Sequence, residues 1–162
     1  LTDGASAVLL VRADRARELG LEPTAIVRGS AMTGADPREE LLLGPAFATP
    51  RALDTAGIRL DQLGVVEFHE AFAAQVVANL RLLADATFCR ERLGRRGAVG
   101  RIDPERINAW GGSLAVGHPF GATGARLVTT CCHRMRFENA RYGAVAACAA
   151  GAIGVALVLE RA

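Results

Sequence analysis

The chain has 162 residues, 51% of them apolar and 22% charged, with a net charge of +2. That length and balance suit one domain with a real core, or slightly more, and exclude a disordered chain. The small net charge excludes an electrostatically dominated partner, and 5% aromatic residues with no reader motif leave nucleic-acid binding unsupported.

Residues 4–11 read as a strand that is apolar on both faces. Residues 14–19 read as a helix, with Asp14 near its start and Gly20 as its C-cap. Residues 24–32 are strand-like, centred on Ile26 and Val27, and residues 36–44 form a loop closed by Gly44-Pro45. A helix over 49–55 takes Thr49 as N-cap and Pro50 at its first position, and Gly57 ends it. Val65-Val66-Glu67-Phe68 is a short strand that delivers His69-Glu70 to a long helix over 71–93. There Phe72, Val76, Leu80, Leu83 and Phe88 approximate a 3.6-residue stripe.

Residues 94–104 are polar and contain glycine, hence a loop. All 19 positive charges of the chain are arginines, and Arg90, Arg92, Arg95, Arg96 and Arg101 cluster here as a solvated surface or a site for a phosphate-bearing ligand. Residues 107–110 are strand-like and lead into Gly111-Gly112-Ser113. A glycine-rich turn over 117–124 precedes a helix over 125–135. Residues 142–148 and 153–159 are the last two strands, a hairpin or neighbours in one sheet. Strands alternating with helices, then two adjacent strands, predict an α/β layered fold with helices covering a mixed sheet.

No apolar run is long enough to span a bilayer, and no signal peptide is expected. The four cysteines, Cys89, Cys131, Cys132 and Cys148, lack CxxC spacing, so a reduced, cytoplasmic protein without a metal is expected. Cys131-Cys132-His133 does not make a metal site, because adjacent helical residues point about 100° apart. The chain starts without Met and runs straight into a strand-like pattern, which reads as the interior of a longer protein.

Three segments leave strands or turns with reactive side chains: His69-Glu70, His118 and Cys148. Active sites of α/β folds form where such loops converge. His118 sits between Gly117 and Pro119, where the proline stiffens the turn and the glycines at 117, 121 and 124 allow close backbone approach. Taken singly, each residue also fits a bland role: a helix-entry turn for His118, a small core residue for Cys148, a cap or surface pair for His69. The glycine run is neither G-x-G-x-x-G nor a P-loop, and no G-x-S-x-G elbow is present.

Four segments occur in order: His69-Glu70-Ala71-Phe72-Ala73-Ala74-Gln75, Asn108-Ala109-Trp110-Gly111-Gly112-Ser113, Gly117-His118-Pro119-Phe120-Gly121-Ala122-Thr123-Gly124-Ala125-Arg126 and Cys148-Ala149-Ala150-Gly151. Together they closely resemble the C-terminal portion of a thiolase, an acetyl-CoA C-acyltransferase. Leu41-Leu42-Leu43-Gly44-Pro45 with Ala48-Thr49-Pro50 looks like the β-oxidation thiolases that partner a hydratase/dehydrogenase subunit, the trifunctional-protein β-subunit type.

The resemblance implies the C-terminal half of a duplicated αβαβα architecture. Residues 1–20 would end the N-terminal domain and residues 21–162 would form the C-terminal one. It implies thiolysis of 3-ketoacyl-CoA, or the reverse Claisen condensation. Coenzyme A would be a substrate, with no resident cofactor. His118 matches the histidine that activates a nucleophilic cysteine, and Cys148 the acid/base cysteine. His69 matches an oxyanion-hole position, Ala150 offers a backbone N–H to a second one, and Gly117 and Phe72 line the substrate site. The implied partners are acyl-CoA and CoA, the other half of the thiolase, and a second copy or more in a dimer or tetramer.

The sequence departs from the pattern twice. The family's nucleophilic cysteine belongs to the N-terminal half, and none of Cys89, Cys131 and Cys132 sits in a matching motif. Ala152 and Ile153 stand where a glycine and a polar residue are expected, so a positive φ at 152 would strain alanine. A β-ketoacyl-synthase-like condensing enzyme and a non-catalytic thiolase-like domain for assembly or acyl-CoA binding are the competing readings.

Overall fold

A computed structural model describes residues 2–162. In chain order it contains α1 (Ala13–Glu18), β1 (Ala25–Gly34), α2 (Gly44–Ala56), β2 (Leu63–Phe68), α3 (Ala73–Ala84), α4 (Ala86–Leu93), the one-turn α5 (Ser113–Val116), α6 (Gly121–Phe137), β3 (Tyr142–Ala149) and β4 (Ile153–Arg161). The strands make one sheet in the order β1-β4-β3-β2. β4 is antiparallel to both neighbours, whereas β2 and β3 are parallel. The sheet is therefore mixed, and the long excursion from α3 to α6 is the crossover that a parallel pair needs.

Helices cover both faces of the central strands. On one side Ala48, Ala52 and Leu53 of α2 pack with Val66, Phe68, Ala144, Ala146, Ala156 and Val158. On the other, Leu127, Cys131 and Met135 of α6 pack with Val65, Val145 and Leu159. The two-residue alternation along β3 sends Ala144 and Ala146 to α2 and Val145 to α6. Small residues let α2 approach closely: Gly44 and Gly154 cross so tightly that a Cβ on either would collide with the other's backbone.

The structure corrects several expected boundaries. Residues 4–11 form no strand, and Leu9 and Leu10 are almost fully exposed. A strand needs a neighbour's hydrogen bonds, and no strand of the described sheet pairs with this segment. Helix α2 begins at Gly44, not at 49, so Pro45 takes the first turn and Pro50 lies inside the helix. Residues 44–50 are all buried, and packing on the sheet overrides the proline. Gly57 does end the helix, in the left-handed region.

The helix expected over 71–93 is two helices. Asp85 accepts from the N–H groups of Thr87 and Phe88, capping α4 and starting a new direction, and Phe88 then packs edge-on against Phe47. Residues 107–110 contribute only a single parallel bridge, Val66 to Ile107. Within the arginine cluster, Arg95 grips Asp54 of α2 through two hydrogen bonds and Arg92 pairs with the buried Glu40. These two charges tie the α4 region to the α2 region. Cys131 is buried, Cys132 half-buried and His133 exposed, so they do not converge.

Arg134 of α6 and Glu67 of β2 are 1% and 0% exposed and form an ion pair at 2.7 Å. The same guanidinium donates to the carbonyls of Val66 and Arg106 and to Glu138. Burial pushes the Glu67 carboxyl upward, and Arg134 opposes that shift. Arg134→Met strands a buried carboxylate and should cost about 3–5 kcal/mol. The double variant Arg134→Met, Glu67→Leu should regain most of it. Urea unfolding of the three proteins checks this, and a single-variant loss under about 1 kcal/mol would refute it.

Candidate active site

The end of β2 supplies the first site residue. His69 N–H donates to the carbonyl of Ala146 at 2.8 Å, which extends the β2–β3 pairing one residue past Phe68. Parallel strands end on the same side of a sheet, so His69 and Cys148 leave it at a common edge. Asn108 braces that edge. Its Oδ1 accepts from Phe68 N–H, and its Nδ2 donates to Phe68 C=O and, at 2.6 Å, to Glu70. The other oxygen of Glu70 accepts from Leu114 N–H, which holds the start of α5. Asn108 thus works as a one-residue strand, and its left-handed backbone, φ 49°, suits asparagine.

The turn before α6 supplies the second histidine. Gly117 has φ 92°, and Phe120 is held at φ 34° and ψ −101°, a strained conformation for a residue with a Cβ. Helix α6 starts at once with Gly121, and the buried Thr123 hydroxyl lies 2.7 Å from His118 Nδ1. The rings of His69 and His118 stand 4.2 Å apart, tilted by 38°, with Phe120 edge-on to His118.

The structure therefore brings His69 and His118 into contact. Cys148 is buried at the end of β3, opposite Gly154, and shares no hydrogen bond with either ring among the described residues. Ala150 is exposed at the β3–β4 turn, Gly117 is half-buried, and Phe72 is exposed just before α3. The turn runs through Gly151 at φ 87° and Ala152 at φ 59°. Alanine does occupy the left-handed conformation, buried, with its carbonyl accepting from Ala35 N–H.

Sequence reasoning singled out neither Ser113, Thr123 nor Arg126, although all three stand inside the quoted motifs. Ser113 Oγ lies 3.0 Å from His69 Nδ1 and accepts from Arg126 at 3.0 Å. The available signal was position: each flanks a histidine-bearing turn. A groove of about 750 Å³ between α3 and residues 101–107 includes Glu70 and Leu114 in its walls but neither histidine nor Cys148.

Burial, then the neighbouring His118 and Arg126, lower His69 to about 4, against a smaller upward pull from Glu70. His118 is lowered by burial and then by Arg126. Burial raises the Cys148 thiol. Near neutrality the site holds two uncharged imidazoles and a protonated thiol. A neutral imidazole accepts a proton from a nucleophile or donates to an oxyanion, and a thiol gives and takes back a proton.

The model of the thiolase C-terminal domain matches residues 21–161. A 3-ketoacyl-CoA thiolase of Aeromonas salmonicida (strain A449) is 52% identical over 160 residues, which cover 99% of this chain and 37% of that protein. One from Escherichia coli (strain K12 / MC4100 / BW2952) is 50% identical over the same shares. Among solved structures, the Bacillus anthracis acetyl-CoA acetyltransferase superposes with a TM-score of 0.75 at 31% identity, covering 93% of this chain and 34% of that one. The chain spans a little over a third of the length of the curated relatives it matches.

The lowered His69 has a consequence for stability. Its folded-state value lies below the ordinary 6.5, so the unfolded chain binds the proton first as pH falls. The contribution of neutral His69 is whole above about pH 6.5, declines toward pH 4 and is flat below it. His69→Gln should make the fall in stability between pH 6.5 and 4 shallower, as read by urea unfolding across that range. An unchanged slope would contradict the assignment.

Proposed function

The chain belongs to the thiolase family, as its C-terminal domain, and on that premise we propose that it carries the acid–base half of an acyl-transfer site acting on 3-ketoacyl-CoA and CoA. The observation that supports this most is the ring contact of His69 and His118 at the sheet edge that also bears Cys148. The substrate classes follow the names of the relatives, 3-ketoacyl-CoA thiolase and acetyl-CoA acetyltransferase.

In this reading a nucleophilic cysteine from the remainder of the protein attacks the 3-keto carbonyl. His118, neutral and anchored through Nδ1 to Thr123, takes the thiol proton on its other ring nitrogen. The bond between C2 and C3 breaks, and the electron pair becomes the enolate of acetyl-CoA. His69 donates an N–H to the developing oxyanion. Cys148, kept protonated by its burial, gives its proton to C2. The resulting thiolate then takes the proton of the incoming CoA thiol, whose sulfur attacks the acyl-enzyme thioester; the nucleophilic cysteine leaves and recovers its proton from His118, and the acyl group departs as acyl-CoA. Run backward, the same steps are a Claisen condensation.

Coenzyme A enters as substrate, and no resident cofactor takes part. The strained Ala152 sets the conformation of the turn that presents the N–H of Ala150 to a second oxyanion. The reading extends to a cytoplasmic dimer or tetramer, with a hydratase/dehydrogenase subunit as a partner.

The test uses the full-length protein and a 3-ketoacyl-CoA. His118→Ala and Cys148→Ala should each lower the thiolysis rate by about 10²–10⁴-fold, the scale of a lost general acid or base. Turnover within a few-fold of the unaltered enzyme in either variant would remove the role given to that residue.

A further inference from the structure

We propose that Ser113 and Arg126 are positioning residues that fix His69 in one tautomer, with Nδ1 bare and the proton on Nε2. The catalytic meaning of this rests on the acyl-transfer reading above; the tautomer itself does not.

The argument begins with the hydrogens of one hydroxyl. Ser113 Oγ is 7% exposed and has two side-chain neighbours within hydrogen-bond reach among the described residues: Arg126 Nη2 and His69 Nδ1, each at 3.0 Å. A guanidinium only donates, so Arg126 occupies a lone pair of the oxygen. The hydroxyl hydrogen then has one acceptor within reach, His69 Nδ1. The opposite arrangement, with Nδ1–H donating to Ser113, would leave the hydroxyl hydrogen unpaired in a buried place. A buried donor without a partner is disfavoured by about tenfold or more.

The doubly protonated ring is excluded on separate grounds. It would place a second positive charge beside Arg126, against the His118 ring, inside a buried pocket, and His69 is lowered accordingly. What remains is a neutral ring with a single N–H, on Nε2. That nitrogen has no partner among the described side chains, and the ring face leans on His118. The donor is therefore free for a substrate oxygen.

The register of the fold makes the arrangement possible. Ser113 starts α5, whose entry is held by Glu70, the residue after His69. Arg126 lies in the second turn of α6, the helix that follows His118. Its Nε is buried without a partner, so the hydrogen bond to Ser113 is the polar contact that locates its head group among the described residues.

The test is long-range ¹H–¹⁵N NMR on the full-length protein with ¹⁵N-labelled histidine, the His69 and His118 signals being assigned by their loss in His69→Gln and His118→Gln. At pH 7 His69 should carry its proton on Nε2 in excess of about tenfold over Nδ1. Arg126→Met and Ser113→Ala should each reduce that excess to a few-fold mixture, while His118, tied to Thr123, keeps its signals and reports an intact fold. A proton on Nδ1 in the unaltered chain, or an unchanged His69 ratio in Arg126→Met, would overturn the proposal. In the full-length enzyme Arg126→Met should lower kcat by about tenfold and leave KM within a factor of two; an unchanged kcat would overturn the positioning role. The NMR measurement needs no turnover, so a failure of the acyl-transfer reading would appear in the assay alone.

Discussion

A fully buried arginine governs the geometry of this domain. Arg134 reaches from the last turns of α6 to Glu67 on β2, and on the way satisfies the carbonyls of Val66 and Arg106. The two elements it joins are those that carry the site. β2 ends one residue before His69, and α6 begins three residues after His118. Apolar packing by Leu127, Cys131 and Met135 holds α6 on the sheet but permits sliding along it. A charged hydrogen-bond fork does not permit sliding, because any shift strands a charge with no water to replace its partner. The separation of the two imidazoles follows from that anchor at the far end of the helix.

The near end is fixed by a different device. Asn108 uses its side-chain amide to copy a strand's donor and acceptor against Phe68, then passes a hydrogen to Glu70. Glu70 in turn holds the start of α5. Residues 68–70, at the end of β2, are locked to Asn108 and to the start of α5 some forty positions later by a handful of side-chain contacts. The site is preorganised by polar contacts that are individually short and mutually dependent, which is where geometric tolerance is smallest.

The layered α/β fold was legible because its signals are local. Val65 to Phe68 and the run from 142 to 148 read as short strands set among helical patterns, and that order marks a layered α/β fold. The ordered motifs around His69, Asn108, His118 and Cys148 made the family legible through its residues. Boundaries that depend on tertiary packing were not. Nothing local tells that Pro50 lies within α2, since the reason is the burial of 44–50 against β4. The break at Asp85 was visible in principle, as an aspartate three residues before Phe88, but a stripe of apolar residues hid it. The run over 4–11 has strand composition without a strand, because pairing is not a property of the segment alone. In the site the histidines were readable as reactive types, whereas Ser113, Thr123 and Arg126 act through orientation, which no residue type announces.

The strand order has a consequence for how the chain reaches its fold. β1 pairs with β4 along its whole length, from Ala25 against Arg161 to Gly34 against Ile153. β3 and β4 are a hairpin and can form as soon as both exist, whereas β1 closes a loop of more than a hundred residues. At ribosomal speeds of 5–20 residues per second, β1 waits on the order of 10 s between its own synthesis and that of its partner. During that interval an extended segment with Ile26, Val27 and Met32 is open to any other strand edge. Native pairing with β4 accommodates an extra β1 residue between Val27 and Gly29 as a bulge. The same bulge seats Gly29 under Ala52 of α2 in the finished domain, so docking of the helix rewards the native pairing over a foreign one.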